Sequence, residues 1–122
     1  MKTNLSNSLP FYIPATGVYP QLYAPAASPL AWTDLDASAF GARQHLLIIS
    51  VINRSGAGAN SYAFRANGNL LNNEPIGHAG GVLNLTNDLC ATITVLTDEA
   101  GIIEWVASAN TNTEIILLGS IG

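Results

Sequence analysis

The sequence predicts an all-β protein, a β-sandwich or jelly roll carrying an extended, proline-rich N-terminal arm. Three observations lead there. Five of the six prolines fall within the first 29 residues, a spacing that no helix survives. After Trp32 the apolar residues alternate or run unbroken, without the apolar period of a long helix. Clusters of Gly, Asn and Asp then punctuate those runs at short intervals, as turns do between the strands of a sandwich. At 122 residues and 12.7 kDa the chain holds one such domain and its appendage, the arm over residues 1–31 and the sandwich over residues 32–122.

The arm is extended because Pro10, Pro14, Pro20, Pro25 and Pro29 each lack a backbone N–H and bias the preceding residue away from helical geometry. No charge falls between Lys2 and Asp34, and Phe11, Tyr12, Tyr19, Leu22 and Tyr23 make the segment too apolar for a solvated linker. Those five residues are expected to lie on protein, either the chain's own domain or a neighbouring subunit. Only the second seat makes them partner-binding residues.

In the body, Gln44 to Asn53 is the clearest strand. Leu46, Leu47, Ile48, Ile49, Val51 and Ile52 leave it apolar on both faces, so one face needs the core and the other a second sheet, the arm or a partner. Asn53 to Asn60 reads as a loop, after which Tyr62, Phe64 and Ala66 alternate with Ala63 and Arg65 into a turn at Asn67-Gly68-Asn69. Residues 70–81 show no period and are expected to form a long surface connection of the kind that often carries function. His78, in its glycine-rich part, joins the arm residues as a candidate contact residue. Val82 to Leu85 is a short strand. Leu89 to Thr97 alternates Ala91, Ile93 and Val95 with Thr92, Thr94 and Leu96, turns at Asp98-Glu99-Ala100-Gly101, and returns as Ile102 to Ser108. Asn110-Thr111-Asn112 leads into the last strand, Glu114 to Ile121.

Charged residues make up 10% of the chain, where an ordinary soluble domain has about 25%. The apolar share of 48% excludes disorder, so the surface is covered by neutral polar groups, which the 30 Asn, Ser and Thr supply, or by neighbouring subunits. Four basic residues against eight acidic ones leave a net charge of −4 and argue against a nucleic-acid partner, whose phosphates call for Lys and Arg. No apolar stretch reaches signal-peptide or membrane-spanning length, so no membrane partner is expected. One cysteine cannot form an internal disulfide, in keeping with synthesis in a reducing compartment. Without a secretory route, the sequons at Asn4, Asn53 and Asn84 read as by-products of an Asn-rich composition.

Catalysis of the Ser-His-Asp or Cys-His kind needs a base, and only His45 and His78 offer one. His45 enters the most apolar strand and reads as a satisfied structural histidine; His78 is the one plausible general base. Cys90, between Leu89 and Ala91 with no cation adjacent, reads as a buried inert thiol. Two histidines and one cysteine lack zinc spacing, and neither Asp34 with Asp36 nor Asp98 with Glu99 sits in an oxygen-rich calcium loop; Asp34 reads as a turn cap. The glycines at 77, 80 and 81 lack the Lys-Ser/Thr ending of a phosphate loop. The expectation is a protein that is not an enzyme and takes no metal or cofactor. Trp105, alternating with Ile103 and Ala107, belongs to the packing, and the arm tyrosines among prolines suit protein more than sugar.

The stretch Trp32-Thr-Asp-Leu-Asp-Ala-Ser-Ala-Phe-Gly-Ala-Arg43 followed by Ser50-Val-Ile-Asn53 resembles the opening of a small β-sandwich module found in virion proteins of tailed bacteriophages. Tyr62-Ala-Phe-Arg-Ala-Asn-Gly68, Thr97-Asp-Glu-Ala-Gly-Ile-Ile-Glu-Trp105 and Ile115-Ile-Leu-Leu-Gly-Ser-Ile121 are similar to later parts of the same module, so the resemblance covers everything but the arm. It implies a structural virion protein made in the host cytoplasm. One form would be a capsid decoration (cement) protein at the capsid surface, a homo-oligomer, with a trimer favoured, that clamps the major capsid protein. The alternative is a receptor- or glycan-binding module of a tail or fibre, working through the 70–81 loop and exposed tyrosines such as Tyr19, with His78 beside them.

Overall fold

The computed structural model describes residues 11–12, 18–68 and 80–122. They form the strands β1 (Phe11–Tyr12), β2 (Gln21–Ala27), β3 (Thr33–Asp36), β4 (Leu46–Asn53), β5 (Ala59–Ala66), β6 (Gly80–Thr86), β7 (Cys90–Leu96), β8 (Ile102–Ala107) and β9 (Asn112–Ile121). A single 3-10 turn at Ser38–Phe40 is the only helical element among the described residues. The strands build two antiparallel sheets. In the first, β9 has β4 on one side, with β7 beyond it, and β1 and β2 share its other side; the second runs β3-β8-β5-β6. The all-β expectation holds, and every strand expected in the body is present within a few residues of its predicted ends.

Alternation decides which side chains meet. Leu47, Ile49 and Val51 of β4, Ile93 and Val95 of β7, and Ile115 and Leu117 of β9 turn inward from the first sheet. Opposite them stand Tyr62 and Phe64 of β5, Ile103, Trp105 and Ala107 of β8, Leu85 of β6 and Leu35 of β3. Trp105 is the centre: it is fully buried, stacked with Phe64 at 6.0 Å between ring centroids, and met edge-on by Tyr23 at 4.9 Å. Such a contact contributes about 0.5–1.5 kcal/mol beyond the area it hides.

Buried amides close the ends of this core. Asn60 donates to the Ala109 carbonyl and Thr111 Oγ1 and accepts from Ser61 N, Ser108 Oγ and Ala109 N, tying β5 to the loop after β8. Asn53 donates to the Leu85 carbonyl at 2.8 Å, joining the two sheets. Gly101, at φ +86°, sits where a Cβ would come 2.2 Å from the Gly41 carbonyl oxygen, so glycine is required there both for the turn and for the space.

Four expectations need correcting. Residues 18–27 are not free of the body: β2 pairs with β9 from Gln21 opposite Ile116 to Ala27 opposite Asn112, and its Pro25 is tolerated because β2 lies at the sheet edge and its pairing shifts register on the way. The strand after the long connection begins at Gly80, inside the expected loop, because glycine is needed for packing: a Cβ there would meet Ile93 Cγ2 at 2.6 Å. Asp34 caps no turn. It lies in β3 opposite Glu104, and Asp36 accepts the Ser38 N–H instead. Cys90 is exposed, because the alternation that sends Ala91, Ile93 and Val95 inward puts it on the Thr92 side.

Candidate functional site

β4 brings one apolar face to the core and leaves the other open. Along β4 the outward residues are Leu46, Ile48, Ser50 and Ile52, and the flanking strands set four rows across the sheet. Leu46 lies between Leu96 and Ile121, Ile48 between Thr94 and Gly119, Ser50 between Thr92 and Ile116, and Ile52 between Cys90 and Glu114. Leu118 is the extra residue where the β4–β9 register shifts. Leu46, Ile48, Ile116 and Leu118 are half-buried by one another, while Leu96 and Ile121 are 45% and 38% exposed. No described element of this chain lies over these rows, since β1 and β2 join the sheet edge-on.

Charge is confined to the two ends of the face. At one end Glu114 accepts from Gln21 Nε2 at 2.6 Å and is paired with Arg54, whose Nη2 lies 3.0 Å from its Oε1. Asp88, largely exposed, stands 3.8 Å from the same guanidinium. At the other end Arg43 reaches the Gly122 carbonyl through both Nε and Nη2. The rows between are Leu, Ile, Thr, Ser and Gly. The outer side of the second sheet is different: Arg65 pairs with Glu104 at 2.5 Å between Nε and Oε1 and lies over the Trp32 ring at 3.9 Å, beside Asp34.

The residues singled out as contacts are dispersed. Leu22 and Tyr23 are half-buried against the chain's own core, so of the two seats expected for the arm this part takes the one in its own domain. Tyr19 is exposed. Phe11 and Tyr12 pair by backbone with Ile121 and Ser120 at the end of β9. His78 lies outside the described residues. The sequence reading did not nominate Leu46, Ile48, Leu96, Ile116 or Leu118 as contact residues, although the doubly apolar β4 was the signal that could have found them.

The remaining chemistry is sparse. Among the described residues no three of His, Cys, Asp and Glu gather as metal ligands. His45 is buried as expected, but it is not satisfied: its Nε2 has no hydrogen-bond partner, because the ring is closed in by Gly41 with no donor or acceptor in reach. Burial first, and the Arg43 charge second, push His45 below its usual pKa, against the opposite pull of the Gly41 backbone. No described helix is long and apolar enough to cross a membrane. No protein-family model matches the chain, and comparison with curated proteins and with solved structures finds no match.

Proposed function

We propose that this chain is a non-enzymatic structural protein of a tailed-phage virion, a decoration protein that adheres to the major capsid protein and to other copies of itself at the capsid surface. The observation that carries the reading is the uncharged apolar face of the first sheet, which the described chain leaves uncovered. A face of that composition on a chain so poor in charge favours a protein neighbour over water.

The strand order supports a jelly roll. β2 pairs with β9, β3 with β8, β4 with β7 and β5 with β6, the pattern made by wrapping one long hairpin, first strand against last, into two sheets. Viral capsid domains and lectins share that architecture, which by itself selects neither. The aromatic side chains lean towards the first. Tyr62 and Trp105 are fully buried, Tyr23 packs on Trp105, and Trp32 is covered by Arg65, which leaves Tyr19 alone as an exposed ring of the kind sugars stack on.

The mechanism is additive burial. A standard contact hides about 800 Å² per partner, and its apolar part contributes ~25 cal/mol per Å² before the entropy of association is subtracted. Several such contacts per copy stabilise a shell without any reacting group. Capsids and tails separated from virions that carry this chain, then quantified by mass spectrometry, test the reading. A copy number comparable with that of the shell subunits is expected; a few copies confined to the tail would defeat it.

A further inference from the structure

We infer that the open face of the first sheet is the contact surface between two copies of this chain, stacked face to face about a two-fold axis with their strands antiparallel. The inference rests on the adhesive reading above and deepens it by naming what occupies the face.

A two-fold contact sets residues near the axis against their own twins, so any charge there would meet its like. The central rows of the face, around Ile48, Ser50 and Thr94, carry none. The ends are complementary. One holds Arg43; at the other Asp88 and Glu114 outnumber Arg54. Antiparallel stacking lays the Arg43 end of each copy over the acidic end of its twin, whereas parallel stacking would set Arg43 against Arg43.

The size also fits. Four strand positions at ~4.8 Å and strands about 25 Å long give a footprint of roughly 480 Å² per copy. Two copies then remove about 960 Å² even before side-chain relief is counted, close to the ~1,000 Å² a specific contact needs. Leu, Ile and Thr on both sides would interdigitate across ~10 Å, as inner faces of a sandwich do. Identical faces close at two copies. The trimer expected from the resemblance would instead need two different patches in contact.

Sedimentation equilibrium of the full chain tests this, with Thr94→Glu and Arg43→Glu as variants and alkylation of Cys90, on the Ile52 row, as a second readout. The wild type is expected to be a dimer at micromolar concentration with Cys90 slow to react. Thr94→Glu, which would bury carboxylates against each other, raises the dissociation constant ~100-fold or more and frees Cys90. Arg43→Glu weakens pairing at low salt, and the difference narrows as salt screens the ends. Circular dichroism melts of the dilute variants should match that of the wild type, because both side chains are exposed. A wild type that stays monomeric at ~100 µM, sediments as a trimer, or pairs equally well with Thr94→Glu overturns the inference at the concentrations two-state association requires. Capsid occupancy separates the two readings. A monomeric wild type whose occupancy Thr94→Glu abolishes returns the face to the shell and leaves the adhesive reading standing.

Discussion

His45 shows how much one side chain depends on its surroundings. Its ring is 2% exposed with Nε2 unpartnered, so the folded protein holds it neutral and resists its protonation. The folded pKa lies below the unfolded value of 6.5, so only the unfolded chain gains a proton as pH first drops through that value. Stability is therefore full above that window and falls as the pH drops through and below it, by at most about 1.4 kcal/mol per pH unit. Asp36 and Asp98 act separately and lower down. Asp36 is held below 3.8 by the Ser38 side chain and backbone, and Asp98 is lowered by the Ile102 and Ala100 N–H groups and Asn67 despite the opposing effect of burial. Their contribution is present above 3.8 and lost as pH falls further. Urea titrations of the wild type and His45→Leu at pH 7.5, 6.5 and 5.5 should show a decline in the wild type that the variant lacks. A parallel decline in both would exclude His45 as its source.

At the scale of elements, strands with a local signature were legible and the edge strand was not. β4, β5, β7, β8 and β9 follow from runs and alternations within a few residues of their own, and the β7–β8 turn follows from Gly101 at φ +86°. β2 has no such signature: Gln-Leu-Tyr-Ala-Pro-Ala-Ala becomes a strand because β9, some ninety residues later in the chain, offers it an edge. Its hold on the body is Tyr23 on Trp105, together with Ser28, which donates to the Thr111 carbonyl through both its backbone N–H and its hydroxyl. Tyr23→Ala should cost about 3 kcal/mol, read from urea midpoints, because it opens a cavity against the central tryptophan. A loss below about 0.5 kcal/mol, the range of ordinary surface changes, would show that β2 is not coupled to the core. Removing residues 2–29 would also strip this strand from β9, so a capsid-binding defect in that truncation needs a stability measurement beside it.

For the whole molecule, the two sheets differ in what they offer to a neighbour. The second sheet settles its outward charges internally, through Arg65, Glu104 and the Trp32 ring, while the first leaves its apolar rows open between charged ends. If copies pair through the first sheet, folding is linked to association, and the melting temperature rises with protein concentration. Calorimetry between about 5 and 500 µM should show that rise for the wild type and a flat response for Thr94→Glu; a concentration-independent wild type would separate folding from pairing.

By itself the sequence determined the all-β class, the positions of the body strands, the burial of Trp105 and the need to cover both faces of β4, because all of these follow from side-chain period and turn chemistry within short stretches. It also held the exposure of Cys90, which its own alternation with Ala91 implied. The order of the strands, the seat of β2 and the identity of the uncovered face were decided only by the tertiary structure. Those depend on which distant segments pair, and pairing energy lies between residues that no local pattern links.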